Sequence, residues 1–334
     1  MMKKGYWKKE RFREWIANQK GEILLTERLK NKYPDLFIDL GRELRTVKEA
    51  FYPQWRKVYR FLWDKKRWLV EDSPNEEKPA PSLVFALPCE ARAVLDVLDK
   101  VFIGKEPPDG FYLSRRASSL IVIVACLFPD EVCFCNWVGG GPFWHTDDSP
   151  FLVPLEKGFY LEDPTGVFPP TYEEVSVELG ERVKKLKKQA ELSLEEPFTI
   201  DRDFPEKLYD NFYSGSWEKL ARKCLNCGAC TFSCPTCYCF DLVVDGALRG
   251  YQLCNWDSCM FAKFTLHASG HNPRPGYTER VRQRVLHKFS YFPMREGSFG
   301  CVGCGACITS CPVNWDIREA IREMFQEVGD KKGE

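Results

Sequence analysis

Cys224-Leu-Asn-Cys-Gly-Ala-Cys-Thr-Phe-Ser-Cys-Pro235 and Cys301-Val-Gly-Cys-Gly-Ala-Cys-Ile-Thr-Ser-Cys-Pro312 are two copies of one pattern, C-x2-C-x2-C-x3-C-P. A cube of four irons and four sulfides needs one thiolate per iron. Three cysteines at steps of three let a tight loop wrap one side of such a cube, and the fourth thiolate then has to come from elsewhere in the chain. Gly228 and Gly305 let backbone approach the inorganic core without a Cβ, and Pro235 and Pro312 interrupt any helix that carries the fourth cysteine.

In two-cluster ferredoxins the fourth ligand belongs to the other motif. That exchange assigns one [4Fe–4S] cluster to Cys224, Cys227, Cys230 and Cys311, and a second to Cys301, Cys304, Cys307 and Cys234. A pair of zinc sites fits less well, because zinc favours two C-x2-C knuckles with a longer spacer.

Working outward, the 334 residues include 16 cysteines, which fall into three groups and leave 1–88 and 136–223 without any. A disulfide framework does not cluster its thiols this way. No stretch has the roughly 18 consecutive apolar residues of a membrane span, and the start lacks the apolar run of a secretory signal. A cytoplasmic chain with reduced thiols is therefore expected, in which so many cysteines point to metal. Lys plus Arg and Asp plus Glu both number 48, so the formal charge is zero and no nucleic-acid partner is expected.

The remaining thiols form two further candidate sets. Leu83 to Leu87 reads as a buried strand leading to Cys89, Ala91 to Leu98 as the helix after it, and Leu120 to Ala125 as a second strand leading to Cys126. Both cysteines then sit at strand C-terminal ends, where open α/β sheets place ligands. With Cys133 and Cys135 they would complete a third [4Fe–4S] site; structural thiols or zinc are the bland alternative. Cys237, Cys239, Cys259 and His271 are a candidate additional iron–sulfur or zinc site, or small buried side chains near the clusters. Cys254 is expected to be a plain thiol.

Thr278 to Phe289 carries Val281, Val285 and Phe289 at i, i+4 and i+8, Asp316 to Phe325 repeats the spacing with Ile317, Ile321 and Phe325, and Trp217 to Arg222 leads into the first motif. The fold expected from these readings is an α/β N-terminal domain followed by an all-helical two-cluster ferredoxin-like domain. Its divisions are a helical, basic and aromatic region at 1–80, an α/β domain at 81–200 holding Cys89, Cys126, Cys133 and Cys135, and a helical dicluster domain at 201–334. Cations raise the potential of an anionic cluster, and Arg222, Lys223, Arg274, Arg280, Arg282, Arg284 and His287 are candidates for that role or for a plain solvated face. Catalytic equipment is scarce: there is no G-x-G-x-x-G, no P-loop and no H-E-x-x-H, and His145-Thr-Asp147-Asp148 reads as a polar turn. No catalytic residue is assigned.

Together the residues resemble the β subunit of soluble sulfhydrogenases (cytoplasmic NiFe hydrogenases), its relative the A subunit of anaerobic sulfite reductase, and a subunit of heterodisulfide-reductase-type complexes. The matching stretches are Cys89-Glu-Ala-Arg-Ala, Tyr112 to Arg116, Cys126 through Cys135, both cysteine motifs, Cys234 to Cys239, Trp256 to Cys259, Gly270 to Arg274 and His287-Lys288. The resemblance covers roughly 83 to 320, with Glu90 where the pattern expects Asp. It implies a non-catalytic electron-transfer subunit beside a flavin- and NAD(P)-binding subunit and a catalytic redox subunit, in a hetero-oligomer of an anaerobic oxidoreductase. A cluster-based catalytic subunit acting on a sulfur substrate and a zinc-stabilised scaffold are the alternatives.

Overall fold

The computed structural model describes residues 3–330 except 38, 73–78, 170–171, 197, 199 and 201, so the ends of the expected 1–80 and 201–334 divisions lie outside the described residues. In chain order the strands are β1 (Lys3–Lys8), β2 (Glu22–Thr26), β3 (Arg42–Leu44), β4 (Trp55–Trp63), β5 (Trp68–Asp72), β6 (Ser82–Ala86), β7 (Ser119–Val124), β8 (Phe151–Leu155), β9 (Gly158–Asp163), β10 (Phe240–Gly246) and β11 (Arg249–Trp256). They belong to two compact units. The first comprises Met1–Phe51, Pro79–Thr199 and Cys301–Gly305; the second comprises Tyr52–Lys78, Ile200–Gly300 and Ala306–Glu334.

The first unit is built on a seven-stranded sheet of order β1-β9-β8-β7-β6-β2-β3. The apolar runs in β6 and β7 become its centre, paired in parallel with Ala86 opposite Ile123. Strands covered on both faces read as continuous apolar runs rather than alternating ones, and Val84, Phe85, Val122 and Ile123 are fully buried. Helical segments from Pro88 to Phe102 and over Gly110–Ala117 form the crossover between β6 and β7. On the core side Phe12 meets Phe37 and Phe85 edge-on at 6.0 Å, and Phe159 at 4.4 Å. Such aromatic pairs contribute about 0.5–1.5 kcal/mol each beyond their area.

The second unit combines helices with an antiparallel sheet of order β10-β11-β4-β5. Helix Tyr277–Leu286 runs through a wide π turn at His287–Tyr291 into Phe292–Glu296. Val281, Val285 and Phe289 are buried along it, and Ile317 and Ile321 are buried on Ile317–Asp330, as their spacing predicts. β10 is exposed along all seven residues.

Two sequence expectations are corrected here. The C-terminal part is not all-helical, because β10 and β11 pair from Phe240 opposite Trp256 to Gly246 opposite Gly250. The local signals were present: Phe240, Leu242, Val243 and Val244 favour a strand, and Gly246 and Gly250 bracket the turn at Ala247-Leu248. Gly246 takes a φ of 116°, open only to glycine. Nor is the stretch before residue 80 the helical region expected, since it supplies β1 to β5, and β4 finds its partner β11 nearly two hundred residues later. Of its tryptophans, Trp7 is in the core, while Trp55 and Trp68 are exposed.

His145 stacks on Phe151 at 4.1 Å and lies 3.7 Å from Glu162, which also takes hydrogen bonds from Lys4 and Tyr160. The His145 contact, with Lys4 and Tyr160 and against burial, holds the Glu162 carboxyl down at about 2, and Glu162 raises His145. The carboxylate's contribution is complete above its unfolded value of 4.5 and is lost as pH falls through about 2. The imidazolium's is complete below 6.5 and is lost as pH rises through its raised value. The pair therefore stabilises most between pH 4.5 and 6.5, and Glu162→Gln should lower Tm most at about pH 5.5 and converge on wild type near pH 2 in a melting series.

Candidate functional site

The first unit gathers thiols at one edge of its sheet. Ala86 and Ile123 face each other in register, so Cys89 and Cys126, each three residues further on, leave neighbouring strands side by side. Cys133 and Cys135 return to the same place on the loop that follows, where the N–H of Cys133 donates to the Asp130 carbonyl at 2.8 Å. All four thiols line one pocket together with Arg28 and Cys304. Arg28 arrives there because β2 ends at Thr26, whose hydroxyl caps the helix Glu27–Lys32 by accepting from the Leu29 N–H. Its guanidinium donates to Cys133 Sγ at 3.0 Å and to Cys89 Sγ at 3.7 Å, and pairs with Asp130 at 2.9 Å.

Burial pushes the Cys126 thiol up to about 11, against Lys32 and Arg28, and the Cys135 thiol up to about 12; Cys89 is driven well above its ordinary value. A ligand must be a thiolate, so this pocket suits thiolates only when metal charge and Arg28 compensate them. Glu90 is buried beside it, accepting from the Leu87 N–H at 2.9 Å and from Thr26 at 2.8 Å.

In the second unit Cys224, Cys227, Cys230 and Cys311 line one pocket, the set expected from the motif exchange. Backbone N–H groups point at its sulfurs: Asn226 to Cys224 at 3.4 Å and Trp315 to Cys311 at 3.1 Å. Such donors stabilise reduced clusters and raise their potential. The second residue after the first cysteine is left-handed in both copies, Asn226 at φ 53° and Gly303 at 66°, and so are Gly228 at 77° and Gly305 at 74°. What the missing Cβ of Gly228 avoids is the Phe261 ring, 2.7 Å away.

Arg284 also lines this pocket. It donates to the Cys230 carbonyl at 3.3 Å and to Cys237 Sγ at 3.7 Å, and its buried Nε has no partner. Burial works against its charge, but the sulfurs of Cys230, Cys307, Cys237 and Cys234 hold its pKa well above the ordinary value. Lys288, turned inward by the π turn, donates to Cys234 Sγ at 3.5 Å, Thr236 at 2.8 Å and the Gly300 carbonyl at 2.8 Å. A hydrogen bond from Cys237, then Lys288 and Arg284, hold Cys234 well below the usual thiol range, whereas Cys237 is driven up. Lys288 thus favours the charged form of Cys234 over that of Cys237. Cys301 and Cys304 belong to the first unit, Cys307 and Cys234 to the second.

Cys239 and Cys259 lie within hydrogen-bonding reach of each other, which raises Cys259. Cys254 is buried on β11. His271 is exposed, its ring 5.4 Å from that of His267. A tetrahedral zinc draws its sulfurs to about 3.8 Å of one another. Among the described residues no three His, Cys, Asp or Glu side chains converge closely enough to hold one ion. Arg28 and Lys288 were given no role from the sequence: Arg28 sits in an ordinary amphipathic helix, and Lys288 entered only as part of the matching His287-Lys288 stretch.

Paired loops, left-handed hinges and inward N–H groups around thiol-lined pockets define an iron–sulfur protein of the two-cluster kind. The 4Fe-4S dicluster domain family matches residues 223–315. Sulfhydrogenase 2 subunit beta of Pyrococcus furiosus is 35% identical over 244 residues, covering 69% of this chain and 70% of the relative. No solved structure matches. The chain belongs to the sulfhydrogenase beta-subunit family of 4Fe–4S proteins.

Arg284→Ala removes the cation beside the 224/227/230/311 pocket. A charged hydrogen bond of roughly 1.5–3 kcal/mol corresponds to a fall of about 60–130 mV in a one-electron midpoint. Potentiometric EPR should record that fall, with Arg284→Lys in between.

Proposed function

We propose that this chain is an electron-relay subunit, carrying single electrons through [4Fe–4S] clusters between a flavin- and NAD(P)-binding subunit and a catalytic redox subunit. The observation that carries the reading is the pocket of Cys224, Cys227, Cys230 and Cys311, four thiols from two motifs lined by backbone donors and a buried cation. These residues fit a cubane: four sulfurs surround one space, and Arg284 offsets negative charge. The second cluster takes Cys301, Cys304, Cys307 and Cys234, supported by the repeat and by the thiolate character of Cys234. A third takes Cys89, Cys126, Cys133 and Cys135, supported by their shared pocket and by Arg28.

When bound, the clusters supply one-electron redox chemistry. The chain's own residues hold them, exclude water and set their potentials through Arg28, Arg284 and Lys288. The relative's name describes one subunit of a sulfhydrogenase, which supports a hetero-oligomer whose catalytic partner is a hydrogenase or a sulfur-reducing subunit. Among the described residues no helix is long and apolar enough to cross a membrane, and a chain that holds clusters on thiolates suits a reducing compartment such as the cytoplasm.

Anaerobically purified protein should contain about 12 iron and 12 sulfide per chain. Cys126→Ser should lose roughly four of each, and so should Cys311→Ser. Dithionite should reduce the isolated subunit, and it should show no turnover with dye donors and hydrogen or polysulfide. Turnover by the isolated chain would instead make it a catalytic subunit.

A further inference from the structure

The segment Cys301–Gly305 packs within the first unit, against the loop that carries Cys133 and Cys135. The two run backbone to backbone. The Phe134 N–H donates to the Gly303 carbonyl at 2.8 Å, and Cys133 Sγ lies 3.8 Å from the Cys304 carbonyl. This approach depends on glycine. A Cβ on Gly303 would stand 2.4 Å from the Phe134 carbonyl oxygen, and one on Gly305 would stand 2.6 Å from Val132. Gly303 is also left-handed at φ 66°, a conformation other residues rarely take.

Arg28 sits at the same junction. Its guanidinium reaches Cys89 and Cys133 directly and shares their pocket with Cys304. Asp130, bound by both Arg28 and Lys32 at 2.9 and 2.7 Å, fixes the outer side of the guanidinium and so its distance from the sulfurs.

We infer that the cluster of Cys89, Cys126, Cys133 and Cys135 exchanges electrons directly with the cluster of the second motif, across the Phe134–Gly303 hydrogen bond, with Arg28 as a cation shared by both. The inference rests on the reading of the N-terminal thiols as cluster ligands. One electron crosses at a time, oxidising one cluster and reducing the other; no bond to sulfur breaks and no proton moves. A hydrogen bond between the two ligand loops gives a shorter bonded path than a route through side chains, and a shared cation moves both potentials in the same direction, which leaves the gap between them little changed. Arg28 is thus a positioning residue for two centres.

The test is potentiometric EPR on the anaerobically purified full chain as wild type, Arg28→Gln, Arg28→Lys and Cys126→Ser. In Arg28→Gln two cluster signals should titrate at lower potential and the third, bordered by Arg284, should stay in place; Arg28→Lys should restore most of the shift. A shift in one signal alone, or in all three equally, overturns the shared role. If Arg28→Gln loses iron, the wild type still decides: in the fully reduced protein the second-motif signal should carry magnetic coupling to two neighbours, of which Cys126→Ser removes one, and a coupling pattern unchanged in an iron-depleted Cys126→Ser overturns the inference. Should Cys126→Ser keep its full iron and spectrum, the N-terminal cluster reading itself fails, separately from any result at Arg28.

Discussion

A thiolate inside a protein persists only where positive charge meets it. Burial alone drives Cys89, Cys126 and Cys135 upward, away from the ionised form a metal ligand needs. The chain answers with buried cations placed on the sulfurs: Arg28 in the first unit, Arg284 and Lys288 in the second. Each comes from a different structural device. Arg28 is delivered by a capped helix at the end of β2, Arg284 by the inner face of a long helix, and Lys288 by the π turn that widens that helix.

The same requirement sets the two cysteines of a close pair apart. Cys234 and Cys237 are three residues apart and hydrogen-bonded, yet Lys288 and Thr236 lie against Cys234. That placement favours negative charge on Cys234 over Cys237. Spacing alone treats such thiols as equivalent; the buried ammonium makes them different.

What was legible in the sequence was local. The two motifs, the buried strands ending near Cys89 and Cys126, and the helices through Val281 and Ile317 all show within a dozen residues, because each follows from a period or a spacing. What escaped was non-local. β4 pairs with β11 across nearly two hundred residues, which makes the C-terminal part a helix-and-sheet unit rather than a helical one. Cys301–Gly305 crosses into the first unit through glycine-to-backbone contacts that no spacing announces. Arg28 lies in a stretch, Thr26-Glu-Arg-Leu-Lys30, indistinguishable from any surface helix until the sheet brings it over the thiols.

The ribbon of β10 and β11 has one further consequence. β10 offers its free backbone groups and the apolar side chains of Phe240, Leu242 and Val244 to solvent along its whole length. An unpaired, apolar border of this kind templates a strand from any neighbouring molecule. Asp241 and Asp245 are the charges set along it, and like charges on two such borders repel, which opposes edge-to-edge pairing of copies.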